Sequence, residues 1–273
     1  MSDVGDDGPR YVLGHSDREL ERLAAQARLI DPITRRFFQE AGVSAGMRVL
    51  DVGSGAGDVA FMVAEMVGES GEVVGVDRSA TAVSAATARV AATPSTNVTF
   101  VAGDPAEMAF DSPFDAVVGR YVLQFQADPA AMLRKLAGHL RPGGLVVFHE
   151  LDWSGSRSFP SAPVFDECRD WMSETIRRSD AEIHMGTKLH ATFVAAGLPA
   201  PTMRLEALIG SDASGPLQLM AGLAPTLLPT AERLGIAPAG IDPETLLETL
   251  AGDVQANGAV VVGNYQVGAW SRV

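Results

Sequence analysis

The chain has 273 residues, of which 47% are hydrophobic and 20% are charged, and its formal net charge at pH 7 is −13. This balance supplies enough apolar side chains for a folded core and excludes a largely disordered chain. The excess of acidic side chains repels phosphate groups, which argues against general binding to nucleic acid or to anionic membrane surfaces.

The pattern of residues 1–45 predicts a short tail followed by two helices. Ser16 and Glu19 have the spacing of a capping box, in which two side chains satisfy free backbone amides at a helix start. Asp31-Pro32 has the form of a second helix start, with a capping side chain before a proline. We therefore expect two helices before the first strand.

From residue 46 to residue 153, short apolar strands alternate with helices. The strand candidates are Arg48–Val52, Val73–Val76, Val98–Ala102, Ala116–Gly119 and Leu145–Glu150, and the helix candidates are Asp58–Val67, Ala80–Ala92 and Pro129–Leu140. The strands are almost continuously apolar, as expected for strands that are covered on both faces. The alternation predicts an α/β fold with a parallel sheet.

The remaining residues, 154–273, are less regular. Helices are predicted at Val164–Arg178 and Lys188–Ala196, and strands at Thr202–Ala207 and Val260–Trp270. Residues 214–256 are rich in leucine and alanine with prolines between them, which predicts several short helices, the last starting at Asp242-Pro243.

The segment 51–57, Asp-Val-Gly-Ser-Gly-Ala-Gly, connects the first strand of the alternating region to a helix. Glycines allow a tight turn and close approach of a ligand to the backbone, and the helix start offers free N–H groups to an anionic group. A dinucleotide fingerprint would need a third glycine where the chain has Asp58. This disfavours an NAD-type oxidoreductase, and a plain strand-to-helix turn is the other alternative.

Two further strands are followed by an acidic residue. Asp77 lies 20 residues after Gly57, where a carboxylate can accept hydrogen bonds from both hydroxyls of a ribose. Asp104 follows the third strand. A plain helix cap is the alternative interpretation of Asp77.

With these motifs the chain resembles the class I S-adenosylmethionine-dependent methyltransferases, in particular the small-molecule enzymes of quinone biosynthesis and natural-product synthesis. Residues 46–153 carry the resemblance, which includes Phe114-Asp115 at the fourth strand and the turn 140–144 before the fifth. It implies a Rossmann-like, doubly wound sheet of seven strands, mostly parallel. It also implies that residues 1–45 form a helical cover and that residues 154–273 complete the sheet and add a helical lid.

The resemblance implies S-adenosylmethionine as the cofactor and S-adenosylhomocysteine as its product. The methionine part would lie on the glycine turn, the ribose on Asp77 and the adenine near Asp104. The implied cofactor residues are Tyr11, Asp51, Gly53, Ser54, Gly55, Gly57, Asp77, Arg78, Asp104, Pro105, Ala106 and Arg120. Asp51 would hold the turn or meet the amino group, Tyr11 would cover the cofactor or simply pack, and Arg120 would act through its carbonyl rather than its guanidinium.

Methyl transfer from a sulfonium is an in-line displacement, so positioning supplies much of the catalysis. A base is needed only for a nucleophile that carries a proton. Related enzymes often place a histidine after the fourth strand, where this chain has Tyr121–Phe125 without one. Glu150, at the end of the fifth strand, is therefore the first candidate for a base or an acceptor-positioning group, and His149 is the second. A structural hydrogen-bonding role is the alternative for Glu150.

The expected partner is a small, fairly apolar acceptor that is methylated at oxygen, nitrogen or carbon. Large side chains that line its pocket, or that pack helices on the sheet, are Trp153, Phe159, Phe165, Trp171, Met172, Met220, Leu223, Leu227 and Leu228. His184 and His190 are lid residues or ordinary surface residues. An alternative from another class is a protein that binds S-adenosylmethionine and catalyses a different reaction or none.

Several features argue against metals, disulfides and membranes. No H-x-H or H-x-x-x-H pair occurs, so we expect no metal site. The single cysteine, Cys168, allows no internal disulfide. No apolar run approaches the roughly 18 residues of a membrane span, and the N-terminus does not resemble a signal peptide. We expect a cytoplasmic monomer or homodimer that binds neither nucleic acid nor membrane.

Overall fold

The computed structural model describes residues 17–93, 97–238 and 240–273. Its helices are α1 (Asp17–Ala41), α2 (Asp58–Val67), α3 (Ala80–Ala91), α4 (Pro129–Ala137), α5 (Pro163–Arg177), α6 (Met185–Ala195), α7 (Gly215–Arg233) and α8 (Leu246–Ala256). Its strands are β1 (Arg48–Val52), β2 (Glu72–Asp77), β3 (Val98–Ala102), β4 (Phe114–Arg120), β5 (Leu140–Asp152), β6 (Arg157–Phe159), β7 (Thr202–Glu206), β8 (Ile209–Gly210), β9 (Val260–Val262) and β10 (Tyr265–Arg272).

Seven strands form the main sheet in the order β3-β2-β1-β4-β5-β10-β7. Strands β1 to β5 pair in parallel, and β10 pairs antiparallel with both β5 and β7. This confirms the prediction of a seven-stranded, mostly parallel, Rossmann-like sheet. The strand order changes direction between β1 and β4, and in open α/β sheets the ligand crevice lies at the carboxyl ends of the strands at such a point.

Helices cover both faces of the sheet because its central strands are apolar on both sides. Leu50 and Val52 of β1 enter the core layer under α4 and α6, whereas Val49 enters the layer under α1 and α2. A third core joins α5, α7 and α8. None of the helices among the described residues is long and apolar enough to cross a membrane.

The prediction of two N-terminal helices is wrong. Helix α1 is continuous from Asp17 to Ala41, with Pro32 inside it. A proline removes one backbone hydrogen bond and crowds the preceding turn. However, the buried side chains of Ile30 and Ile33 continue one apolar face across Pro32. Since packing of an amphipathic face provides most helical stability in proteins, the helix persists.

The prediction of several short helices in residues 214–256 is also wrong. Helix α7 has 19 residues and contains Pro225 and Pro229. It persists for the same reason as α1, since one of its faces is buried in the third core. Helix α8 begins at Leu246 rather than at Asp242, because the Asp242 carboxylate accepts a hydrogen bond from the Glu244 N–H in a turn before the helix.

The predicted final strand, Val260–Trp270, is divided between two sheets. Strand β9 belongs to a three-stranded sheet of order β6-β9-β8, and β10 belongs to the main sheet. Strands β6 and β8 have three and two residues, too short for an alternation of apolar and polar side chains to mark them in the sequence.

Candidate functional site

The glycine turn lies at the carboxyl end of β1. The backbone has positive φ at Gly53 (65°), Gly55 (52°) and Gly57 (92°). A Cβ atom at Gly53 would lie 2.7 Å from Cγ2 of Val122, whereas one at Gly55 would have no described atom within 4 Å. The turn is therefore packed against the segment after β4 but open at Gly55, where a ligand can lie against the backbone.

Two polar side chains of this turn have no hydrogen-bond partner among the residues that the structure describes. Asp51 is 1% exposed, and neither carboxylate oxygen has a hydrogen-bond partner among the described residues. The hydroxyl of Ser54 is likewise buried and unpaired. Burial raises the pKa of Asp51 to about 8, although the positive charge of Arg120 opposes the shift. A buried carboxylate without a partner is costly, so this one is suited to a cationic or hydrogen-bond-donating ligand group.

Asp77 connects the glycine turn to the start of α3. Its carboxylate accepts hydrogen bonds from the N–H of Gly55 at 2.9 Å and the N–H of Ser79 at 2.8 Å. A carboxylate has about four acceptor positions, so further hydrogen bonds to two hydroxyls remain available. The cap of α3 is Ser79, whose hydroxyl accepts a hydrogen bond from the N–H of Ala82 at 3.2 Å, so Asp77 holds the capping residue rather than acting as the helix cap. The ribose interpretation of Asp77 stays a prediction.

Arg78 and Asp104 form an ion pair with 2.6 Å between Nη2 and Oδ2. The other oxygen of Asp104 accepts a hydrogen bond from the N–H of Ala106 at 2.9 Å. The carbonyl of Pro105 lies 2.9 Å from Nε2 of His139. These contacts fix the turn that was predicted to frame the adenine.

Arg120 links the end of β4 to α1. Its guanidinium donates hydrogen bonds to Asp31 at 2.6 Å and to Thr34 at 3.2 Å, and its side chain is 8% exposed. Since the guanidinium is engaged with α1, its carbonyl remains the predicted contact to a cofactor. Tyr11, which was predicted either to cover the cofactor or to pack, lies outside the described residues.

His149 lies within a buried chain of hydrogen bonds. Its Nδ1 is 3.0 Å from Oγ1 of Thr34, and its Nε2 is 2.9 Å from Oε1 of Gln266. The same Oε1 accepts a hydrogen bond from the hydroxyl of Tyr121. Burial lowers the pKa of His149 to about 3, so the ring is neutral at pH 7. Because an amide oxygen only accepts, we assign the ring proton to Nε2.

Glu150 fixes the segment after β4. Its Oε1 accepts hydrogen bonds from the N–H groups of Val122 at 2.9 Å and Leu123 at 2.7 Å. Its Oε2 is buried without a partner among the described residues. Burial raises the pKa of Glu150 to about 8. These contacts give Glu150 a structural hydrogen-bonding role, whether or not it also acts on an acceptor.

A cavity, here called the lid cavity, lies between α1, α5, α7 and the carboxyl end of β5. It is lined by Ile30, Tyr121, Leu151, Trp153, Ser156, Phe165, Leu208, Pro216, Leu219, Met220, Leu223, Gly263, Asn264 and Gln266. Neither His149 nor Glu150 belongs to this wall. Tyr121 connects the lid cavity to the glycine turn, since the next residue, Val122, packs against Gly53.

Four of the nine large side chains that were predicted to line a pocket or to pack helices line the lid cavity. They are Trp153, Phe165, Met220 and Leu223. Of the others, Trp171, Met172, Leu227 and Leu228 are buried in the third core, and Phe159 is 82% exposed. Helical spacing alone does not distinguish the cavity wall from the core, because both are apolar.

His184, just before α6, and His190, within α6, are exposed, and neither is among the described residues that line the lid cavity. Nδ1 of His184 lies 3.4 Å from the buried carboxylate of Asp152. Sequence reasoning missed the polar residues Thr34, Ser156, Asn264 and Gln266, which lie in no motif and come together only through the fold.

Comparison with known proteins identifies the family. Residues 43–197, more than half of the chain, match a family described as a methyltransferase domain. A demethylmenaquinone methyltransferase of Staphylococcus aureus (strain MRSA252) is 34% identical over 134 residues, which are 49% of this chain and 52% of that protein. The chain thus spans about half the length of the curated relatives it matches.

Solved structures support the fold. A protein of Bacillus halodurans C-125 matches with a TM-score of 0.57 at 17% identity, over 87% of this chain and 96% of that one. A Haemonchus contortus phosphoethanolamine N-methyltransferase, solved with S-adenosylhomocysteine, has a TM-score of 0.51 at 18% identity, over 91% of this chain and 52% of that one. The chain therefore belongs to the methyltransferase domain family and has the fold of the class I S-adenosylmethionine-dependent methyltransferases.

Proposed function

We propose that the protein transfers the methyl group of S-adenosylmethionine to a small, fairly apolar organic acceptor. The buried, unpaired carboxylate of Asp51 beside the glycine turn carries this proposal. S-adenosylmethionine carries two cationic groups, an ammonium and a sulfonium, and two ribose hydroxyls that can donate hydrogen bonds. A site with a buried, unpaired carboxylate requires groups of these kinds. The residues present therefore fit the cofactor.

Each part of the cofactor has a proposed set of contacts. Asp51 and Ser54 bind the amino-acid part, which lies against the open backbone face of Gly55. Asp77 accepts the ribose hydroxyls. The remaining proposed contacts are Gly53, Gly57 and the Arg120 carbonyl for the methionine part, Arg78, Asp104, Pro105 and Ala106 for the adenine, and Tyr11 as a cover.

The cofactor supplies an activated methyl group, and the chain's own residues position the acceptor. The apolar side chains of Trp153, Phe165 and Met220 line the lid cavity, where they favour an apolar acceptor over water. Glu150 holds the segment between this cavity and the glycine turn, and His149 holds Gln266 in the cavity wall. We propose that both act by positioning, which is sufficient when the donor is already reactive.

The similarity to a demethylmenaquinone methyltransferase supports a small-molecule acceptor. The absence of charged side chains from the described wall of the lid cavity supports an apolar one. The nucleophile that receives the methyl group is oxygen, nitrogen or carbon.

Two measurements test the proposal. Isothermal titration should show binding of S-adenosylhomocysteine and none of NAD. Incubation with methyl-labelled S-adenosylmethionine and a library of apolar acceptors should then transfer the label to at least one compound. If S-adenosylhomocysteine does not bind, the proposal is contradicted. If it binds tightly but no acceptor is labelled, the protein is better described as a cofactor-binding protein that catalyses another reaction or none.

A further inference from the structure

Two residues that line the lid cavity each carry a buried polar atom without a hydrogen-bond partner among the described residues. These atoms are the hydroxyl oxygen of Ser156, a residue that is 7% exposed, and the side-chain Oδ1 of Asn264. Most buried polar groups in proteins form hydrogen bonds, and those that do not require an explanation. On residues that line a cavity, such atoms are available to form hydrogen bonds with a ligand.

The two residues lie on segments that pack against each other. Ser156 follows Gly155, and Asn264 precedes Tyr265. A Cβ atom at Gly155 would lie only 2.3 Å from Cδ1 of Tyr265, so the backbone at Gly155 rests directly on the tyrosine ring. This contact, together with the pairing of Arg157 in β6 with Val262 in β9, places the segment that carries Ser156 beside the segment that carries Asn264.

The chemistry of the pair specifies a ligand group. An amide oxygen such as Oδ1 of Asn264 only accepts hydrogen bonds, whereas the hydroxyl of Ser156 donates or accepts. One hydroxyl on a ligand satisfies both, since it donates to Asn264 and accepts from Ser156. An N–H group satisfies Asn264 in the same way.

The rest of the wall specifies an uncharged ligand. None of the fourteen described lining residues is acidic, basic or histidine. Arg157, which follows Ser156, directs its guanidinium to the carbonyl of Gly155 and the hydroxyl of Tyr265 instead. An ionised ligand would lose its hydration here without gaining a counter-charge, which is strongly unfavourable.

We propose that Ser156 and Asn264 select the methyl acceptor, and that this acceptor is an uncharged, apolar molecule with a hydroxyl or N–H group bound between them. Its identification as the methyl acceptor rests on the proposed function. The preference of the lid cavity for an uncharged, hydroxyl-bearing ligand does not, so the two are tested separately.

The preference is tested with probes that share a shape and differ in one group. One set is phenol, toluene and benzoate, and the other is 2-naphthol, 2-methylnaphthalene and 2-naphthoate. Binding to the full chain is measured by equilibrium dialysis, with and without S-adenosylhomocysteine. In at least one set the hydroxyl probe should bind about 5- to 10-fold more tightly than the methyl probe, as expected for one or two hydrogen bonds. The carboxylate should bind most weakly.

Substitutions test whether Ser156 and Asn264 cause the preference for the hydroxyl probe. Ser156→Ala and Asn264→Leu should each reduce the preference for hydroxyl over methyl to about 2-fold or less, the loss of roughly one hydrogen bond. The affinity for the methyl probe should not fall. Ser271→Ala is the matched control, because the Ser271 hydroxyl is also buried without a partner in the described part of the chain but does not line the lid cavity. This control should keep the full preference, and thermal unfolding checks that every variant is folded.

Four results would overturn the proposal: equal binding of hydroxyl and methyl probes, tightest binding of a carboxylate, no binding of any probe, or an unchanged preference in both variants. Failure of the wild type to bind S-adenosylhomocysteine is a different result. It contradicts the proposed methyl transfer, whereas the preference of the lid cavity is still measured by the probes alone.

Discussion

Glu150, near the carboxyl end of β5, accepts a hydrogen bond of 2.9 Å from the backbone N–H of Val122, just beyond the end of the neighbouring strand β4. The side chain of Val122 in turn packs against the glycine turn, where a Cβ atom at Gly53 would lie 2.7 Å from it. One carboxylate therefore fixes the segment that separates the proposed cofactor site from the lid cavity.

This relationship predicts different effects for two substitutions of Glu150. Glu150→Gln keeps an acceptor oxygen and should retain methyl transfer within a few-fold. Glu150→Ala leaves the N–H groups of Val122 and Leu123 unpaired, and should lower the free energy of unfolding by about 2–4 kcal/mol. Urea unfolding and single-turnover kinetics measure the two effects. If Glu150→Gln removes activity while cofactor affinity is retained, Glu150 acts as a base rather than by positioning.

Asp51 is predicted to decrease stability in the absence of cofactor. Its pKa rises from the ordinary value of 3.8 to about 8 in the folded chain, mainly because of burial. Between these two values the folded state keeps a proton that the unfolded state loses, so stability falls as the pH rises. Asp51→Asn removes this effect. Its thermal midpoint should exceed that of the wild type, by more at pH 8 than at pH 5, and no difference at pH 8 would contradict the assignment.

The raised pKa of Asp51 also predicts that cofactor binding releases a proton. A cationic amino group favours the ionised form of Asp51, so binding below pH 8 should release a proton. The affinity for S-adenosylhomocysteine should therefore rise between about pH 5.5 and 7. Titration calorimetry in buffers of different ionisation enthalpy measures the released proton. Asp51→Asn is the control, because it should bind more weakly and release none from this position.

Asp77→Ala should weaken S-adenosylhomocysteine binding by about 1–3 kcal/mol, the cost of losing a buried hydrogen-bonding partner. Asp128→Ala is the matched control. Asp128 likewise accepts a backbone hydrogen bond at the start of a helix, from the N–H of Ala131 at 2.8 Å, but it lies outside the proposed site. Both variants should lose stability, and only Asp77→Ala should lose affinity. Equal affinities would remove the ribose assignment.

Gly55→Ala should weaken cofactor binding, because the added methyl group occupies space that the cofactor needs beside the backbone. Gly55 and Gly143 both have positive φ, and a Cβ atom at either residue would have no described atom within 4 Å. Alanine at either position should cost about 1–2 kcal/mol of backbone strain. Both variants should therefore lose a similar amount of stability. Only Gly55→Ala should also lower the affinity for S-adenosylhomocysteine, as measured by titration of both variants.

Local patterns predicted the parallel part of the fold well. The bounds of α2, Asp58–Val67, agree with the prediction residue for residue, because a glycine turn precedes this helix and Gly68 ends it. The apolar runs of β1 to β5 were also recognisable, since strands that are buried on both faces are apolar throughout. The glycine turn and the acids after β2 and β3 then indicated the family.

Features that depend on distant packing were not predictable in this way. Pro32 and Pro225 are helix-breaking signals by local rules, yet both lie inside helices that bury a continuous apolar face. The partners of His149, Thr34 and Gln266, are 115 and 117 residues away in the chain. Ser156 and Asn264 belong to no motif, and their segments come together through the pairing of β6 with β9 and the packing of Gly155 against Tyr265.

The hydrogen bonds that run from Thr34 through His149 to Gln266 donate in a fixed direction, toward Gln266. Because Oε1 of Gln266 can only accept, the hydroxyl of Tyr121 uses its single proton there and has only lone pairs to offer to the lid cavity. A ligand at that end must bring its own hydrogen. An acceptor hydroxyl has one such hydrogen, for Tyr121 or for Asn264, and loses it when methylation converts the hydroxyl to a methyl ether. The wall that binds such a substrate would then hold its product less tightly and favour its release.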